Sequence, residues 1–219
     1  MELLNPYVKL WGRVPLNAFD QILWIERAGR TCYRSEDKII EGSGKEFVQK
    51  IINRGHTSVL EHSNFVFRVP REEVTSDDLL NVLVVIKDTY VRCLLKEDYF
   101  YIYGNMRAFL DLALNIQVKI DISDFPFDTF PASILPQFKQ CREYFEIPKE
   151  LWTITFEMVT DRAVTHELVR HRTLSFSQES QRYCRYGQLK VIRPFYYSEE
   201  RLKDTHVKER FMEFVNGIS

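Results

Sequence analysis

Apolar residues recur at helical spacing over Ala18 to Ala28 and again over Lys45 to Arg54, where Phe47, Ile51 and Ile52 share one side and Gly55 is placed as a stop. The pattern then changes to alternation. Asn64 to Val69, NFVFRV, sets Phe65, Phe67 and Val69 on one face of a strand, with Pro70 to end it. Ser76, backed by Asp77 and Asp78, opens a helix through Leu79, Val82, Val85 and Ile86, and Met106 to Leu114 has helical spacing too. A second alternating run, LWTITFEMV, puts Trp152, Ile154, Phe156 and Met158 on a shared face. Thr160 and Asp161 supply an N-cap and a first-turn acid for a helix through Ala163, Val164, Glu167, Leu168 and His171. The last helix has Ser198 as cap, Leu202, Val207, Phe211, Phe214 and Val215 as its apolar side, and Asn216-Gly217 as its stop. Between Asp121 and Phe138 a stretch with Pro and Phe but no periodicity reads as a loop or surface excursion. Helices dominate and strands are few.

Composition narrows the class. A chain of 219 residues, 45% hydrophobic, buries a full core at the size of one generous domain. Its 30 basic and 31 acidic side chains leave a formal charge of -1, so no global field points to a nucleic acid or a membrane, and any anion binding must be local. Cys32, Cys93, Cys141 and Cys184 form no C-x-x-C pair, which argues against a zinc knuckle or a disulfide framework and for reduced thiols. The opening MELLNPYVKLWGRV lacks the pattern of a signal peptide, and no stretch reaches the roughly 18 apolar residues of a membrane span, so a soluble, cytoplasmic protein is expected.

One segment departs from this even distribution. From Asp161 to Tyr186 the chain carries Arg162, Arg170, Arg172, Arg182 and Arg185 with His166 and His171, while Lys is absent from Leu151 to Leu189. A guanidinium presents a rigid fork of donors that matches phosphate oxygens in pairs, whereas Lys offers a point charge. Between the arginines, Ser175, Ser177 and Ser180 supply hydroxyls, Gln178 an amide and Glu179 a carboxylate, suited to sugars and base edges. The set has the character of a nucleotide site. Arg170 and Arg172 also complement the negative end of the helix they terminate, and on the residues alone both readings stand.

Arg170-His171-Arg172, seven further residues and Ser180 spell R-H-R-x7-S, and Ser180-Gln181-Arg182-Tyr183 continues the pattern. Upstream, Gly55-His56-Thr57-Ser58-Val59-Leu60-Glu61-His62 fits G-H-x-[ST]-x-x-E-H before an aromatic strand, and Ala28-Gly29-Arg30-Thr31-Cys32-Tyr33 fits an A-x-R block. On these three ordered blocks the chain resembles the flavin-dependent thymidylate synthase family. The resemblance implies an α/β fold of long helices around a small sheet, in one domain over residues 1–219 with a family-atypical insert at about 71–150. It implies a homo-oligomer, usually a tetramer with sites shared between subunits. FAD is the implied cofactor, with His56, Ser58, Arg170, His171, Arg172 and Gln178 as its contacts. Asn105-Met106-Arg107 resembles the N-x-R helix of the family's C-terminal tail, which adds Asn105 and Arg107 to the flavin set. The implied substrate is dUMP, lined by Glu167, Arg170, Gln178, Glu179, Ser180 and Arg182, with Ser180 and Arg182 on its phosphate or sugar side. Methylenetetrahydrofolate is then the carbon donor, NADPH reduces the flavin, and no metal, nucleic acid or membrane takes part.

The chain also departs from the family pattern. A long middle segment separates His62 from Arg170, and the tail that normally brings an arginine to the pyrimidine does not follow the motif. One helical length beyond Arg107 stand Ile116 and Gln117, and the usual Asn-Glu before the serine is Ser177-Gln178, with Glu179 next. A flavin- or nucleotide-binding relative without turnover is therefore the rival reading, decided by whether Arg107 or Arg92 delivers a cation to the pyrimidine; otherwise Arg92 reads as a solvated helix residue. Family chemistry needs no protein nucleophile, and Cys184 beside Arg185 reads as a packed thiol, with a lowered pKa as the alternative.

A metal hydrolase fails on spacing. His166 and His171 are five apart and diverge by about 140° on a helix, and His56 with Glu61-His62 misses H-x-x-E-H. RNA binding through Arg182-Tyr183-Cys184-Arg185-Tyr186 has neither charge nor motif behind it. The aromatic runs Tyr99 to Tyr103 and Phe195 to Tyr197 read first as core or interface, with ring stacking as the alternative.

Overall fold

The structure is a computed structural model that describes residues 2–116, 137–184, 190–194 and 196–217. Asp121 to Pro136 of the proline-containing stretch, Gln117, Arg185 and Phe195 lie outside the described residues. Eight strands are described: β1 (Glu2–Leu4), β2 (Tyr7–Arg13), β3 (Phe65–Pro70), β4 (Arg92–Leu95), β5 (Tyr99–Gly104), β6 (Lys139–Gln140), β7 (Ile154–Val159) and β8 (Lys190–Ile192). The α-helices are α1 (Ala18–Tyr33), α2 (Ser43–Asn53), α3 (Ser76–Ile86), α4 (Met106–Asn115), α5 (Arg162–Leu168) and α6 (Thr205–Gly217). The mixed α/β character matches the expectation, with more strands than the periodicity revealed. Contacts divide the chain into two units, Gly12–Thr155 with Ser175–Ser180, and Met1–Trp11 with Phe156–Leu174 and Gln181–Ser219. No described helix is long and apolar enough to cross a membrane.

The first unit is built on an antiparallel sheet in the order β4-β5-β3-β6. Alternation in β3 sends Phe65, Phe67 and Val69 to one face, where they join Phe100 and Ile102 of β5 and the apolar sides of α1 to α4. Phe109 of α4 meets Phe65 and Phe67 edge to face, at centroid distances of 6.3 and 5.3 Å. The opposite face is also covered, because Val66 and Tyr101 pack with Leu16, Cys141, Ile147 and Leu151. Tyr99 to Tyr103 are thus sheet residues with Phe100, Tyr101 and Ile102 buried, as the core reading of that run expects.

Local chemistry sets the ends of these helices. Asn17 caps α1 by accepting the Asp20 N–H, and Thr75 forms a reciprocal capping box with Asp78, so α3 is headed by Thr75 rather than by Ser76. Fully buried Gln21 ties α1 to β3: its amide donates to the Leu16 and Asn64 carbonyls and its oxygen accepts the Asn64 N–H. Glu26, equally buried, accepts from Arg30 at 2.9 Å and from Ser43 Oγ at 2.8 Å. A Cβ on Gly29 would lie 2.5 Å from Phe47 Cζ and 2.9 Å from Val59 Cγ1, so this position keeps α1 close to α2 and to the turn at Val59.

The second unit is more open. β1 pairs in parallel with β8, and α6 buries Phe211 and Val215, with Tyr197 against Phe211 at 4.7 Å. The backbone N–H of His206 donates to Asp204, which heads α6, while Ser198 accepts from Arg201 in a separate 3₁₀ turn at Arg201–Lys203. β2 pairs with β7, and the Tyr7 hydroxyl and Trp11 Nε1 both donate to Glu157. Ile154, Phe156 and Met158 share a face as the alternation predicts, but that face is exposed, together with Val8 and Leu10. Alternation defines a face; it does not say what covers it. Trp152 leaves the strand and packs with Tyr144 in the first unit.

Candidate functional site

In the first unit the site begins where α2 stops. Gly55 has φ 70, the left-handed region that glycine adopts without strain, and the His56 N–H returns to the Ile51 carbonyl at 3.0 Å. The chain then makes a 3₁₀ turn over Thr57–Glu61, anchored by buried Val59 and Leu60. Anchoring those two leaves His56 and Ser58 exposed and Glu61 and His62 half-buried. The Tyr33 hydroxyl lies 2.9 Å from His56 Nδ1 and orients that ring. Ser63, directly after the turn, donates to the Leu60 carbonyl and accepts the Met106 N–H at 2.8 Å, which fastens the start of α4 beside the turn.

That placement brings Arg107 to Glu61. Arg107 Nη1 donates to Glu61 Oε1 at 2.5 Å, and Asp111 lies 3.8 Å from Arg107 Nε. Asn105 caps α4 through its side-chain oxygen, which accepts the Ala108 N–H. The other oxygen of Glu61 accepts from Ser175 Oγ at 3.0 Å. Ser175 to Ser180 form neither helix nor strand, and the Ser180 N–H donates to the Cys32 carbonyl at 3.0 Å. Gln178, Glu179 and Ser180 are half-buried along this segment.

His62 also holds the segment, by a hydrogen bond to the Phe176 backbone. Burial lowers the pKa of His62, and the opposing pull of the Glu61 charge and the Phe176 carbonyl is smaller, so the neutral ring is favoured. Among the described residues Nε2 of His62 is buried without a partner, which assigns the shared proton to Nδ1. Ser177 Oγ is likewise buried without a partner among the described residues. Elsewhere in this unit burial pushes the Cys141 thiol up to about 12 and raises that of Cys93, so both hold their protons.

In the second unit Asp161 caps α5 by accepting the Val164 N–H at 3.1 Å, and the helix ends at Leu168, short of His171. Successive tight turns follow, with Arg170 N–H to the Glu167 carbonyl, His171 N–H to Leu168 and Leu174 N–H to His171. No residue of α5 is buried, and Arg170, His171, Arg172 and Arg182 are exposed. Arg170 Nη1 pairs with Glu167 at 2.9 Å, the two side chains 72% and 70% exposed, so this pair constrains little. Cys184 is buried.

The structure therefore gathers His56, Glu61, His62, Asn105, Arg107 and Ser175 to Ser180 in one unit, while Glu167, Arg170, His171, Arg172 and Arg182 belong to the other. Arg92 corrects the helical reading: it opens β4, because Thr89 ends the α3 region with a turn to Ile86, and its guanidinium donates to the Thr89 and Val91 carbonyls. Tyr33 and the Glu61–Ser175 bond were not foreseen. Tyr33 stands in the A-x-R block, but the Glu61 bond joins residues 114 apart, and no local spacing announces it.

A family model described as thymidylate synthase complementing protein matches residues 18–78 and 141–218. Residues 79–140, which it leaves unmatched, fall within the segment read as an insert. The chain is 41% identical over 69 residues to a flavin-dependent thymidylate synthase of Clostridium tetani, covering 31% of this chain and 26% of the relative. It is 47% identical over 51 residues to the flavin-dependent thymidylate synthase of Corynebacterium glutamicum, covering 23% of this chain and 19% of that one. The matched part thus spans about a quarter or less of the length of these relatives. No solved structure matches the chain.

Proposed function

The chain belongs to the thymidylate synthase complementing protein family, and from that premise we propose that it is a flavin-dependent thymidylate synthase, methylating dUMP to dTMP with methylenetetrahydrofolate as carbon donor and reduced FAD as hydride donor. The observation that carries this reading is the exposed Arg170-His171-Arg172 run directly beyond a capped helix. Its guanidinium forks suit paired phosphate oxygens, and the pairing of Arg170 with Glu167 is weak enough to give way to a phosphate. The donor types in each unit suit FAD: in the second, exposed Arg170, His171 and Arg172 would hold its phosphates, and in the first, exposed His56 and Ser58 are the contacts that the family resemblance assigns. Bound flavin supplies the redox chemistry of the reaction. The chain's part is to bind and orient. Ser180 and Arg182 take the phosphate or sugar of the nucleotide, Gln178, Glu179 and Glu167 its remaining polar edges, and Tyr33 fixes the His56 ring through Nδ1. NADPH would reduce the flavin.

A second reading, a flavin- or nucleotide-binding relative without turnover, is favoured by one observation. Arg107 is engaged by Glu61 and Asp111, and Arg92 by backbone carbonyls, so both candidate cations of the middle segment have intramolecular partners. A visible absorption titration with FAD, followed by deoxyuridylate, tests the binding common to both readings. FAD binding with a further spectral change on adding nucleotide is expected; absence of any FAD binding would overturn the synthase reading and leave a nucleotide pocket without flavin.

A further inference from the structure

Ser175 to Ser180 have no helix or strand bonding of their own, so contacts from elsewhere must set their conformation. Glu61 makes the contact at the start of the segment. Its two oxygens are divided between Arg107 of α4 and Ser175 of the segment, and its side chain is 26% exposed. The bonds join residues 46 and 114 apart, so they order tertiary structure rather than a local turn. His62 to Phe176 and Ser180 to Cys32 are further attachments.

We propose that Glu61 is a positioning residue: it locks segment 175–180 onto the helix carrying Arg107 and so presets the donors and acceptors of Gln178 to Ser180 for a nucleotide. The locking stands on the geometry alone, whereas its consequence for nucleotide rests on the function proposed above. Neutralising Arg107 does not by itself require Glu61, since Asp111 lies 3.8 Å from the same guanidinium. Nor does the segment satisfy itself, because among the described residues Ser177 Oγ is buried without a partner.

Hydrogen exchange on the full chain, without ligand, tests the locking in wild type, E61A, E61Q, S175A and E61A/S175A. In E61A the Ser180 amide, which is bonded to the Cys32 carbonyl, should exchange about tenfold faster, the scale of one lost charge-assisted hydrogen bond, while peptides of α1 and β3 keep their rates. E61Q, which keeps an acceptor for Ser175, should restore most of the protection. The double variant should match E61A, because both substitutions remove the same contact. S175A, which leaves the Glu61–Arg107 pair in place, carries the test if E61A fails to fold. Unchanged exchange over 175–180, or a rise shared equally by the core peptides, would overturn the proposal. Deoxyuridylate titration then separates the two claims. If wild type binds it, E61A should bind at least about tenfold more weakly, and equal affinity would overturn the presetting. If wild type binds none while the exchange results hold, the nucleotide reading fails and the locking remains.

Discussion

In the larger unit, residues 175–180 lack regular structure yet are fastened to Glu61, His62 and Cys32; in the smaller, Arg170, His171 and Arg172 leave a seven-residue helix that buries none of its side chains. The sequence motif runs through both without a break. Its half without arginine is held by long-range bonds to Glu61, His62 and Cys32, and its arginine half is presented to solvent with a weak ion pair at Arg170. The division suits two tasks. Hydroxyls and amides read a ligand only when their directions are fixed, whereas guanidinium groups attract phosphate from solution and gain their geometry from it.

Substitutions in the two regions should therefore separate stability from binding. The largest effect is expected from Phe109→Ala, which removes the ring between Phe65 and Phe67 and should cost about 3–5 kcal/mol in urea unfolding. Arg170→Ala belongs to the other class: affinity for FAD and deoxyuridylate should fall about ten- to hundredfold, with an unchanged unfolding midpoint. A shifted midpoint would break the comparison. Thr75→Ala, remote from both halves of the motif, should cost about 1 kcal/mol through the lost cap and leave ligand affinity alone.

The smallest effect is a pH dependence. His62 has a folded pKa below its ordinary 6.5, so the unfolded chain takes up its proton first as pH falls. Its contribution is fully present above 6.5 and is lost as pH falls from there through the lower folded value. Unfolding of His62→Gln should lose this component of the pH dependence in that window, and an identical slope would sharpen the question of which group holds Phe176.

Much of the first unit was legible in the sequence because period and chemistry agree there. NFVFRV alternates in a sheet covered on both faces, and Gly55 stops α2 where its positive φ is needed. Legibility failed where a competing cap stood in the same polar stretch: Thr75 directly before the expected Ser76, and Asp204 beyond the expected Ser198, which accepts from Arg201 in a separate 3₁₀ turn. Arg92 was misread because a four-residue strand is too short to show alternation. For the site, residue types marked the arginine run and the E-H pair, but not that Glu61 joins Ser175 and Arg107, since pairing across 114 residues follows from tertiary packing.

The central claim is best tested by mixing FAD-loaded, chemically reduced protein with methylenetetrahydrofolate and deoxyuridylate in the absence of oxygen and assaying for thymidylate. Thymidylate formed in proportion to bound flavin, and lost in Arg170→Ala, is the predicted result. Protein that binds both FAD and deoxyuridylate yet forms no thymidylate would contradict the synthase reading and leave a binding protein in its place.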